Sequence, residues 1–109
     1  MPNQSTQLDE VFRALADPTR RAVLERLVDG PATTSELAQP FKMALPSFSQ
    51  HLAVLEHCGL VHSRKHGRTR TYRLVPRQLK AAESWMTRQR ALWEQRLDQL
   101  DNYLKETSR

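Results

Sequence analysis

The sequence predicts a mainly helical domain that carries one small β-hairpin. Three observations predict it. Apolar residues recur at helical spacing in five separate runs, and Pro or Gly punctuates the boundaries between them. One stretch, Leu60 to Val75, is instead rich in strand formers on either side of Gly67. The chain has 109 residues, 39% of them hydrophobic, which supplies one core and little spare chain. Residues 1–109 therefore read as a single domain.

Each element has its own local cause. Met1 to Thr6 are polar, and the segment is expected to fray. Leu8, Val11, Phe12 and Leu15 predict a first helix over 7–16. Asp17-Pro18-Thr19 restarts the chain: Asp17 can cap a second helix, and Pro18 suits its first turn because no donor is needed there. That helix is expected over 18–29, burying Val23, Leu24, Leu27 and Val28, with Gly30-Pro31 as its stop. Thr34 and Ser35 open a short third helix, 34–39, stopped by Pro40. Pro46 then suits the first turn of a fourth, which runs to about Cys58, where Gly59 supplies a left-handed cap. Two short helices joined by a tight link form a helix-turn-helix.

Val61, Thr69, Thr71, Tyr72 and Val75 favour strands, and His66-Gly67-Arg68 makes the turn of a hairpin. Pro76 breaks the second strand, and a long fifth helix is expected over 77–105. The fold class is thus mainly α with a small β-hairpin, in the order of four helices that include a helix-turn-helix, two strands and a long last helix.

Charge separates along this order. Net charge is +5, but Leu37 to Ala82 alone carries eight cations and one acid, Glu56, and the rest of the chain is net negative. A basic run can be merely a solvated face. It reads as a phosphate footprint when the cations share a projecting element, and here most of them share the hairpin. Arg64, Lys65, His66, Arg68 and Arg70 have nothing apolar beside them near its tip. Arg68, next to Gly67, is the best placed to enter a narrow minor groove.

The fourth helix complements that ribbon. At about 100° per residue, Phe48, Leu52 and Leu55 share one sector and face the core, leaving Ser47, Gln50, Ala53, Val54 and His57 outside it, with Ser49 on the near flank. An ordinary surface helix would carry Glu and Lys there. A small, polar, uncharged face suits the major-groove floor, where Gln can pair with an adenine edge and Ser with several bases. His51 lies at the sector's edge, where a packed, hydrogen-bonded histidine and a DNA contact are equally open. Thr34 can offer its hydroxyl and backbone N–H to a phosphate.

The runs DPTRRAVLERLVDGPATTSELAQ and LPSFSQHLAVLEHCGLVHSRKHGRTRTYRL closely resemble winged helix-turn-helix repressors of the ArsR type. The resemblance covers about residues 8–76, and its S-x-H-L-x-V-L-x-x-x-G-L-V pattern with a basic wing is fairly specific. The tail WMTRQRALWEQRLDQLDNYL also looks like a subgroup with two Trp on a long last helix. The resemblance implies a homodimeric, operator-binding repressor in which the fourth helix reads DNA and the first and last helices form the dimer contact. That contact would take Leu8, Val11 and Phe12 from the first helix.

The residues of the last helix point the same way. Trp85, Leu92, Trp93, Leu97, Leu100, Tyr103 and Leu104 belong to an apolar stripe wider than one packing contact needs. A helix of 29 residues would be about 43 Å long, more than the width of so small a domain. Part of it needs a second surface, most simply that of another copy. Two-fold symmetry would then set two reading helices about one DNA turn apart, on a palindromic operator.

Other classes are less well served. Relatives of this type can sense metals through cysteines on the third helix or Asp, His and Glu on the last. Here the third helix reads TSELAQ and the last has no histidine, so no metal and no cofactor is expected. Cys58 has no partner thiol and is expected to be a buried structural residue, which fits a reducing cytoplasm. No Gly-rich phosphate loop, nucleophile elbow or paired carboxylates mark an enzyme. No apolar run can cross a bilayer and no secretory signal opens the chain. No inducer is legible. The expected function is sequence-specific binding of double-stranded DNA by a cytoplasmic homodimeric repressor, and the alternative is a winged-helix module that binds another protein.

Overall fold

The computed structural model describes residues 4–108. Along it run α1 (Gln4–Leu15), α2 (Pro18–Leu27), β1 (Ala32–Thr33), α3 (Thr34–Ala38), α4 (Leu45–His57), β2 (Val61–His66), β3 (Thr69–Leu74) and α5 (Pro76–Thr107). This is the mainly helical winged helix-turn-helix that the sequence predicts, with boundaries moved by a few residues. The expected fray at Met1–Thr6 lies partly outside the described residues, and from Gln4 the chain is already helical.

Local chemistry sets the starts and stops. The Asp17 carboxylate accepts the Arg20 backbone N–H at 3.0 Å and caps α2, with Pro18 in its first turn. α2 ends at Leu27, two residues earlier than expected. Val28, expected in the core, is consequently turned out and 73% exposed. The true cap of α3 is Thr33, not Thr34. Its hydroxyl accepts the Glu36 N–H, and the Glu36 carboxylate accepts the Thr33 N–H at 3.0 Å, a reciprocal capping box. At the far end of α4, Gly59 adopts φ +80°. The Leu60 and Gly59 amides then bond the Leu55 and Glu56 carbonyls at 3.0 and 3.1 Å. This reversal turns the chain directly from α4 into the wing.

The sheet has one strand more than expected. β1 pairs antiparallel with β3 through Ala32–Tyr72 and Thr33–Thr71, giving the order β1-β3-β2. The hairpin closes on a two-residue turn, Gly67-Arg68, with His66 paired to Thr69 as part of the ladder.

Phe48, Leu52 and Leu55 of α4 are at most 1% exposed and meet Val11, Val23, Leu27, Leu37, Leu60 and Tyr72 in one core. Each such side chain contributes roughly 1.5–3 kcal/mol by leaving water. Phe41, in the link between α3 and α4, stacks at a tilt on Phe48 with ring centroids 5.4 Å apart, fixing the turn of the helix-turn-helix. Of α5, only Ala82 is buried. The helix projects from the domain, and the molecule measures 73 × 34 × 23 Å.

Candidate nucleic-acid interface

Packing one face of α4 decides what the other face offers. With Phe48, Leu52 and Leu55 inward, Ser47, Ser49, Gln50, Ala53 and Val54 are all exposed. None of them is ionised. An α-helix of about 10–12 Å diameter fills a major groove about 12 Å wide, so such a face can lie against base edges without salt bridges to break first.

The strand register sorts the wing's cations onto two faces. Val61, Ser63 and Lys65 share a face with Arg70, Tyr72 and Leu74, and its lower part packs against the helices. His62, Arg64, His66, Thr69, Thr71 and Arg73 point the opposite way. Arg68 sits at the tip. Among the described residues, the side chains of Arg64, Lys65, His66, Arg68 and Arg73 are exposed and make no hydrogen bond or ion pair. The charges of Arg64, Lys65, Arg68 and Arg73 are therefore available to an external anion.

Arg70 differs from the others. Its Nη1 donates to the Ser63 Oγ at 2.8 Å, so its guanidinium, still exposed, is already engaged within the wing. Ser63 is 7% exposed and gives both its backbone N–H and its hydroxyl to the Glu56 carboxylate of α4, each at 2.9 Å. The lone acid of the basic stretch thus joins the helix to the wing. Tyr72 lies beside this group. Burial pushes its phenol up, and the Glu56 charge adds to that.

His51 is half-buried on α4. Its Nδ1 stands 3.2 Å from Arg20 Nη1 and 3.8 Å from the Asp17 carboxylate. Arg20 also donates to the carbonyls of Ala14 and Arg13, at 2.8 and 3.0 Å. One guanidinium therefore ties the end of α1 to α4. Thr34, expected to meet a phosphate, is half-buried as the first residue of α3, beside the Thr33–Glu36 capping box.

Sequence reasoning missed Arg20, Glu56 and Ser63. Glu56 had a signal, since it is the only acid between Leu37 and Ala82. Arg20 and Ser63 had none, because their roles depend on residues up to 31 positions away.

The expected dimer residues also separate. Val11 is 1% exposed and lies within its own protomer's core, because α1 turns Val11 and Ala14 inward. Leu8 and Phe12 are partly buried against that core, and Phe12 meets Trp85 edge-on with centroids 5.6 Å apart. Leu92, Trp93, Leu97, Leu100, Tyr103 and Leu104 are each more than half exposed along α5. Cys58 is buried beneath the α4 cap, and desolvation pushes its thiol up. Among the described residues no three His, Cys, Asp or Glu side chains converge as a metal site. None of the described helices is long and apolar enough to cross a membrane.

Comparison with known proteins bears on this geometry. Residues 15–64 match a helix-turn-helix domain family, the segment from the end of α1 into the wing. A solved structure of an ArsR family transcriptional regulator is 52% identical, with a TM-score of 0.81 over 86% of this chain and 97% of that one. The chain belongs to the ArsR family of DNA-binding transcriptional regulators. An ArsR-like regulator from Rhodococcus sp. RHA1 also superposes with a TM-score of 0.81, at 32% identity over 92% of each chain. The HTH-type transcriptional regulator Rv2034 of Mycobacterium tuberculosis is 44% identical over 73% of this chain and 75% of its own length. The transcriptional repressor SdpR of Bacillus subtilis is 33% identical over 72% and 88% respectively. ArsR regulators act by binding DNA rather than by catalysis, so the exposed α4 face and the wing are the surfaces to be read for function.

Proposed function

We propose that this ArsR-family chain is a homodimeric repressor that binds a palindromic operator in the cytoplasm and blocks transcription. The observation that carries this reading is the pairing of surfaces: an exposed, un-ionised α4 face beside a wing whose cations have no partners of their own. Phosphate contacts from Arg64, Lys65, His66 and Arg68 hold the duplex, and Ser47, Ser49, Gln50 and Val54 choose the sequence. The repressor function named for SdpR supports the direction of regulation.

Dimerisation is supported by α5. Its exposed Trp93, Leu97, Leu100 and Leu104 form a stripe that a monomer leaves in water. The i,i+4 pairs Arg90–Glu94 and Asp101–Lys105 have side chains at least 65% exposed, so polar groups accompany this stripe along the helix. The third helix has no cysteine and the last has no histidine, and we assign the chain to a subgroup without that sensor site.

Hydroxyl-radical footprinting of the full chain on the region upstream of its own gene tests this reading. It predicts two protected blocks related by two-fold symmetry and about one helical turn apart. A single unsymmetrical block, or none, contradicts it.

A further inference from the structure

We infer that Arg20 fixes His51 as a neutral donor whose Nε2–H takes a phosphodiester oxygen of the bound duplex. The inference rests on the DNA-binding reading of α4. A guanidinium carries only donors, so at 3.2 Å from Arg20 Nη1 the His51 Nδ1 must accept. The ring proton then sits on Nε2. Arg20 is not free to turn away, because its Nε and Nη2 are held by the Ala14 and Arg13 carbonyls. Asp17, 3.8 Å from the same ring nitrogen, is the other charged group facing His51.

Nε2 has no partner among the described residues, and none of their buried side-chain nitrogens lacks one. That nitrogen is therefore reached by solvent, although the side chain as a whole is only 21% exposed. His51 lies at the flank of the exposed α4 face, beside Gln50. In a groove about as wide as a helix, the centre of that face meets base edges and the flanks meet the phosphate walls. An N–H donor to a phosphate oxygen forms a charge-assisted bond without itself carrying charge. His51 is thus both packed and available, through different nitrogens.

The test uses the full chain in two arms. Without DNA, the nitrogen-15 shifts and long-range couplings of the His51 ring are expected to report the proton on Nε2. A proton on Nδ1 overturns the proposal. With DNA, His51→Ala and His51→Gln are titrated against a duplex from the upstream region and a scrambled duplex, at two salt concentrations.

His51→Ala is expected to weaken both duplexes by the same factor, about tenfold, with the salt slope unchanged because no charge is lost. His51→Gln is expected to recover most of that loss, since its amide can accept from Arg20 and donate outward. Loss confined to the upstream duplex means a base contact, a flattened slope means a cationic histidine, and no loss means packing alone. Each overturns the phosphate assignment. Failure of the wild type to bind either duplex defeats the DNA-binding reading itself, a result distinct from these three.

Discussion

Glu56 on α4 and Ser63 on β2 are joined by the carboxylate, which accepts the Ser63 N–H and hydroxyl at 2.9 Å. The bond fixes the angle between the exposed α4 face and the basic wing. Glu56→Ala leaves a 7%-exposed serine without its acceptor, a loss expected to cost about 1–3 kcal/mol. Glu56→Gln keeps an acceptor and should cost less. Urea unfolding checks the order, and equal stability of Glu56→Ala and wild type would show that the contact carries no load.

Gln50 and Arg68 should fail differently. Gln50→Ala is expected to narrow the ratio between operator and scrambled DNA, by about 1–3 kcal/mol if a bidentate contact is lost. Arg68→Ala is expected to weaken both DNAs alike and to lower the salt slope by about one. Titrations at several salt concentrations separate the two. Identical profiles for both variants would remove the division between reading helix and wing.

Trp93 is 71% exposed on α5 and should be covered by a second copy. Trp93→Asp is expected to convert the dimer to monomer in sedimentation experiments while leaving the helical content of the domain intact, since that side chain takes no part in the core. An intact dimer would move the interface away from this part of α5.

Asp17 links stability to acid. The Arg20 amide hydrogen bond holds its carboxyl below the ordinary 3.8 against desolvation, with the Arg20 charge and the Thr19 amide adding to the effect. A lowered native value means that the unfolded chain binds the proton more readily. The stabilisation is therefore complete above about 3.8 and is lost as pH falls through the native value. Asn also caps helices, so Asp17→Asn should keep α2 while showing a shallower loss of stability in acid, measured by thermal melts across the acid range. The slope should not vanish, because Glu36 is lowered too, by its hydrogen bonds from Thr33. An unchanged slope would contradict the assignment.

The helical framework was legible because its signals are local. Asp17-Pro18, Gly59 and the Phe48–Leu52–Leu55 spacing each act within one or two turns of chain, and the core forms around them. β1 was not legible, since two residues have no pattern of their own and are a strand only through their pairing with β3. Val28 continues the apolar period of α2, but the helix ends before it, and periodicity does not carry that boundary. The candidate site divides along the same line. The α4 face follows from helical geometry, whereas the Arg70–Ser63 and Arg20–His51 contacts come from tertiary proximity alone.

As a regulator, this chain should bind a particular duplex through counterion-releasing cations and a base-reading helix. The most direct measurement is an affinity titration of the full chain against the region upstream of its own gene and a scrambled duplex, at about 50 mM and about 200 mM salt. Binding is expected to be tighter to the upstream region at both concentrations and to weaken steeply with salt for both duplexes. Equal affinity for the two duplexes, or binding indifferent to salt, would contradict it.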